Sequence, residues 1–89
     1  MADDCLVVYY RRNGSPICRL GLTVSAKVGK AVVRNRIRRL IRESYRLMEE
    51  RVLPGFDIVV VARGRAANAD YKTVSSSLEK NFKKSGLIR

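Results

Sequence analysis

Four arginines recur every fourth residue: Arg34, Arg38, Arg42 and Arg46. On a helix that spacing puts them along one edge, about 6 Å apart. This pitch suits a polymer that repeats a negative charge every few ångströms. A guanidinium fork grips phosphate through two parallel hydrogen bonds, so the chemistry on offer is recognition of a nucleic-acid backbone. Bond cleavage is not on offer. The chain has no His, so neither a Ser/His/Asp set nor a Cys/His pair can be assembled. Its eight acids, Asp3, Asp4, Glu43, Glu49, Glu50, Asp57, Asp70 and Glu79, show no compact pairing. Cys5 and Cys18 fit no metal-ligand spacing. Any enzymatic role must use chemistry held by a partner.

The charge balance agrees. Nineteen Lys and Arg oppose eight Asp and Glu, a net charge of +11 on 89 residues. Such a chain attracts polyanions over a Debye length, roughly 8–10 Å at moderate salt. A charge kept only for solubility would be scattered. Here Lys27, Lys30, Arg34, Arg36, Arg38, Arg39, Arg42 and Arg46 face Glu43 alone within residues 27–46. A solvated helix face would alternate sign, and like charges four residues apart destabilise a free helix. The row makes sense when an anion relieves the repulsion. Lys27 and Lys30 also flank a glycine-containing loop, 25–30, ahead of the helix, where backbone N–H groups offer a further phosphate site.

The elements that must carry these residues follow from pattern. Residues 1–4 read as a disordered tail. Residues 5–10 are β-branched and aromatic and predict a strand. Asn13-Gly14 and Pro16 supply turn chemistry, and 17–24 predict a second strand, read as the other half of a hairpin. Gly21 within it suggests a bulge or a close backbone approach. Periodicity near 100° per residue predicts a helix over about 31–50. Val33, Ile37, Leu40, Ile41, Ser44, Leu47 and Met48 fall within one arc of roughly 120°, while Arg34, Arg38, Arg39, Arg42 and Arg46 fall in another with Asn35 in its middle. Residues 57–62 form an apolar run expected of a central strand buried on both faces. Residues 63–69 read as loop. Asp70 caps a last helix over about 71–85, with Tyr71, Val74, Leu78 and Phe82 inward and Gly86 as its stop. The result is one domain, residues 1–89, in the α+β class: a small sheet with helices, an α/β sandwich of β-β-α-β-α order. Tyr9 and Tyr10 point to opposite faces of the first strand. One is expected in the core, leaving the other free to stack on an unpaired base. In a hairpin Cys5 would lie opposite the far end of the second strand, not opposite Cys18, so reduced, part-buried thiols are expected.

Residues 25–46, Ser-Ala-Lys-Val-Gly-Lys-Ala-Val-Val-Arg-Asn-Arg-Ile-Arg-Arg-Leu-Ile-Arg-Glu-Ser-Tyr-Arg, resemble the signature of the bacterial ribonuclease P protein component. That family carries Ser-Lys-Lys-Val-Gly-Asn-Ala-Val-x-Arg-Asn-Arg-x-Lys-Arg-x-x-Arg, and the likeness continues through 55–63 and the last helix. The resemblance implies a small subunit that pairs with ribonuclease P RNA. That RNA removes the 5′ leader of precursor tRNA, using Mg²⁺ held through the RNA with none bound by the protein alone. Carried over by position, the RNA-contacting set is Lys27, Arg34, Asn35, Arg36, Arg38, Arg39 and Arg42. Tyr9 matches an aromatic of the leader cleft, placed between the helix and the sheet. The resemblance also implies a fold like the second domain of a small-subunit ribosomal protein, with a left-handed strand–helix–strand crossover against the ~98% right-handed rule. Ala26 stands where many members have Lys, and Lys30 where many have Asn. The family usually begins with a further roughly 20–25 residues, whereas this sequence starts at the following strand; the apolar surface so uncovered is expected to favour self-association or segment exchange.

Other readings stay open at this level. A ribosomal or RNA-chaperone protein would share the composition, and only the 25–46 motif separates it from a ribonucleoprotein-enzyme subunit. A helix-turn-helix needs two helices joined by a short turn, which the strand signals deny. A membrane-surface helix would need the apolar stripe that the sheet also needs. No run approaches the ~18 apolar residues of a membrane span, and the first residues lack a basic then apolar export signal, so a cytoplasmic protein is expected.

Overall fold

The computed structural model describes residue 3 and residues 5–88. Strand β1 is Leu6–Arg12 and β2 is Arg19–Val24. Helix α1 is Ala31–Met48, β3 is Phe56–Ala62 and α2 is Tyr71–Ser85. Short 3₁₀ turns occupy Ala26–Val28, Glu49–Arg51 and Gly64–Asn68. Thus α1 stops two residues earlier than its periodicity suggests, and the 63–69 loop is largely one tight turn.

The hairpin expected over 5–24 does not form. The sheet order is β1-β3-β2: β3 pairs antiparallel with β1 and parallel with β2. The most apolar strand takes the centre, where both its edges are paired, and it separates the two strands that the turn connects. Residues 13–18 therefore cross two strand spacings, roughly 10 Å, rather than one. The turn chemistry remains. Asn13 Oδ1 accepts from Ser15 N–H at 2.8 Å, its Nδ2 donates to Ile17 O at 3.0 Å, and Gly14 has φ 69°. Cys5 and Cys18 sit at opposite ends of the sheet, and no disulfide joins them.

The sheet has one covered face. Leu6, Val8, Ile58, Val60 and Ala62 are buried with Ile37 and Ile41 of α1 and Val74, Leu78 and Phe82 of α2. Both helices lie on that side, so β3 is central but not buried on both faces. Val59 is 39% exposed. The outer face carries three cross-strand rows: Val7, Val61, Thr23; Tyr9, Val59, Gly21; and Arg11, Asp57, Arg19. Gly21 pairs in regular register, and a Cβ there would meet Val59 Cγ2 at an ordinary 3.7 Å, so neither a bulge nor a close approach accounts for it.

The expected tail falls outside the described residues except for Asp3, which is tied down. Its carboxylate accepts from Cys5 N–H and Leu6 N–H, each at 2.9 Å, and from Ser77 Oγ at 2.6 Å. On α2, Asp70 accepts from Thr73 N–H at 2.8 Å and Gly86 adopts φ 74°, so both predicted ends hold. Tyr71, expected inward, is 38% exposed.

Asp57 closes the polar end of the sheet. It accepts from Asn13 Nδ2 at 3.0 Å and from Arg19 Nε and Nη2 at 2.9 and 3.1 Å, with Arg11 at 3.7 Å. Hydrogen bonding from Asn13, then from Arg19, holds its carboxyl below the usual value of 3.8. A lowered folded value stabilises the fold fully above the unfolded pKa, and that contribution is lost as pH falls through the folded one. The melting temperature is therefore expected to drop on acidification below about pH 4. Asp57→Asn should melt lower than wild type at pH 7 and show a shallower acid limb, which thermal melts across pH 2–7 would read directly.

Candidate nucleic-acid interface

Helix α1 buries Ile37, Ile41, Ser44 and Met48. This arc is rotated towards the arginine edge relative to the stripe read from sequence. Leu47 was placed in that stripe but is 73% exposed, whereas Arg34 and Arg38 are half-buried. Asn35, Arg39, Arg42 and Arg46 are exposed. Glu43 answers only Arg46, at 3.0 Å, and Arg38 Nη1 donates to Asn35 Oδ1 at 3.1 Å, which aligns that guanidinium along the helix. Arg34 Nε is buried without a hydrogen-bond partner.

Arg36 is placed differently. It lies on the far flank of α1, half-buried, and its Nη2 donates to Ala69 O at 2.8 Å. It thereby braces the segment leading into α2. The ladder and Arg36 thus occupy different sides of the helix, as the wheel positions indicate.

The start of α1 is open. Its N-cap residue, Lys30, makes no side-chain cap, and the first turn holds no acid, in contrast to the Asp70 cap of α2. Uncapped N–H groups and the positive end of the helix dipole favour an anion there. Lys27 and Lys30 are both exposed beside it. Gly29 lets the loop lie against the first turn: a Cβ would meet Val33 Cγ1 at 3.0 Å. The described residues contain no group of three or more His, Cys, Asp or Glu able to hold a metal ion, and no helix long and apolar enough to cross a membrane.

The two tyrosines depart from expectation. Neither enters the core. Tyr9 is 60% exposed on the outer sheet face, and Tyr10, on the other side, packs edge-on to Phe56 with centroids 6.2 Å apart. Ile37 and Ile41 of α1 share one core with Leu6, Val8, Ile58 and Val60 of the sheet. Tyr9, Tyr10, Arg11, Asp57 and Val59 line a shallow pocket of about 300 Å³ at this end of the sheet. Two features went unread in the sequence. Tyr45 joins α1 to α2 by an edge-to-face contact with Phe82 and donates to Cys18 Sγ at 3.7 Å. The Arg11–Asp57–Arg19 row needs the strand order, which residue spacing does not reveal.

The ribonuclease P family model matches residues 1–86. The ribonuclease P protein component of Caldanaerobacter subterraneus subsp. tengcongensis is 47% identical over 87 residues, covering 98% of this chain and 75% of that protein. That of Alkaliphilus oremlandii is 47% identical over 88 residues, covering 99% and 77%. Among solved structures, the Staphylococcus aureus RNase P protein superposes with a TM-score of 0.91 at 36% identity, over all of this chain and 82% of that one. The Thermotoga maritima RNase P protein gives 0.86 at 35%, over 94% and 80%.

Proposed function

The chain belongs to the ribonuclease P protein family, and from that membership we propose that it is the protein subunit of a cytoplasmic ribonucleoprotein that removes the 5′ leader of precursor tRNA. The observation that carries this reading is a helix with one face in the core and the other lined by Asn35, Arg39, Arg42 and Arg46, flanked by Arg34 and Arg38. Phosphates of ribonuclease P RNA lie along that face, and one more occupies the open start of α1 between Lys27 and Lys30. Arg36 acts through the segment it braces rather than by phosphate contact. The leader strand crosses the outer sheet face, where Tyr9 stacks on a base, a contact worth roughly 1–3 kcal/mol in such proteins. Hydrolysis of the phosphodiester belongs to the RNA, which holds the Mg²⁺. The protein lowers the Mg²⁺ requirement by neutralising phosphates that would otherwise repel.

The test is cleavage of precursor tRNA by a bacterial ribonuclease P RNA at limiting Mg²⁺, with and without the chain. Stimulation by wild type that is reduced in Arg42→Ala is the expected result. Tight RNA binding without stimulation would instead identify a plain RNA-binding module of the ribosomal or chaperone kind.

A further inference from the structure

Helix α2 has a cationic face of its own. Its inner side is Val74, Ser77, Leu78, Asn81 and Phe82. Outward, at steps of three or four residues, stand Lys72, Ser76, Lys80 and then Lys83 and Lys84, all exposed. Each four-residue step is about 6 Å along the axis, the pitch already met in the arginine ladder. Glu79 is the one acid in this helix, and Arg51 at 3.2 Å and Lys83 at 3.4 Å already engage it. Asp3 faces Lys80, but its carboxylate is committed to Ser77 and two backbone N–H groups. Two shallow grooves, of about 480 and 440 Å³, meet along the face at Ser76 and Lys80. One runs from there towards Lys72 and the other towards Lys83 and Lys84, so the two grooves together span the row.

We propose that this face of α2 is a second RNA surface, which takes a phosphate backbone without regard to sequence. It rests on the RNA-binding reading above. The occupant is RNA because the spacing matches a uniformly charged polymer and no aromatic or apolar residue stands in the row to read a side chain. Lysine ammonium groups on flexible stems suit phosphates as point charges, and the Ser76 hydroxyl fills the gap between Lys72 and Lys80 as a neutral donor. The two rows belong to different helices with the Tyr45–Phe82 contact between them.

The experiment measures binding of the full chain to a bacterial ribonuclease P RNA as a function of salt. Replacing Lys72, Lys80, Lys83 and Lys84 together by Gln is expected to flatten the log–log salt slope by about three units. In parallel, N-acetylation of wild-type lysines by an activated ester should be suppressed at these four positions when the RNA is bound, a readout that needs no variant. A slope equal to wild type, with the four lysines modified at the same rate with and without RNA, would overturn the proposal. If such a variant instead loses only its binding to a polyglutamate probe, the face serves an acidic protein and the proposal is equally wrong. Wild type failing to bind the RNA at all would instead strike the functional reading itself.

Discussion

Converting Arg39, Arg42 and Arg46 together to Ala is expected to weaken binding to ribonuclease P RNA by on the order of a hundredfold near physiological salt, and to flatten the salt slope by two to three units. All three side chains are exposed, and among the described residues only Arg46 has an acidic partner, Glu43. Each removed contact leaves one more counterion on the RNA, so the loss should be large at low salt and shrink at high salt. The melting temperature should not fall, since the row repels itself in the free protein. Arg36→Met should behave in the opposite way. The bond to Ala69 O disappears and leaves the carbonyl of this buried residue under-satisfied, a cost of about 1–3 kcal/mol. The salt slope should stay at its wild-type value. Filter binding across a salt series, with thermal melts of the same variants, separates the two kinds of arginine. A large stability loss in the triple variant would mean that the exposed face is structural.

This division shows where sequence was sufficient. The helix, its charge asymmetry and the Asp70 and Gly86 ends depend on residues within a few turns of one another, and their spacing reveals them. The failures in the sheet share one cause: each needed knowledge of which strands are neighbours. Asn13-Gly14 signals a turn truthfully, but a turn residue does not say whether the chain comes back beside itself or passes over a third strand. An unbroken apolar run predicts burial on both faces of β3, which gives Val59 and Val61 no reason to be surface. The outer face with Tyr9 and the Arg11–Asp57–Arg19 row was then invisible. Arg36 is instructive for a different reason. It sits inside an unbroken basic motif, and charge type alone cannot distinguish a phosphate contact from a brace. Only its wheel position, off the arginine arc, gave a hint.

Phe82→Ala is expected to cost about 3–5 kcal/mol, the range for losing a fully buried aromatic ring. Phe82 has no exposed surface and meets Tyr45 edge-on at 6.2 Å. It also anchors the end of α2, since Leu87 N–H donates to its carbonyl at 2.9 Å. A chain of this length has a total stability of roughly 4–13 kcal/mol, so the loss removes from about a quarter to all of it. At roughly 4–8 °C per kcal/mol, its melting temperature should fall by tens of degrees. Phe82→Leu keeps most of the volume and should lose far less. The consequence for function is indirect but strong: α1 presents its arginines only while its apolar face is seated against the sheet and α2. RNA that binds the folded form alone should therefore stabilise Phe82→Ala by mass action, adding about 2.7 kcal/mol at a hundredfold excess over Kd. Melts of this variant with increasing ribonuclease P RNA should rise with RNA concentration. The same titration of the Arg39, Arg42 and Arg46 triple variant should rise much less, although that protein is folded throughout. A Phe82→Ala protein that melts like wild type would show that the two helices are not held together by this ring.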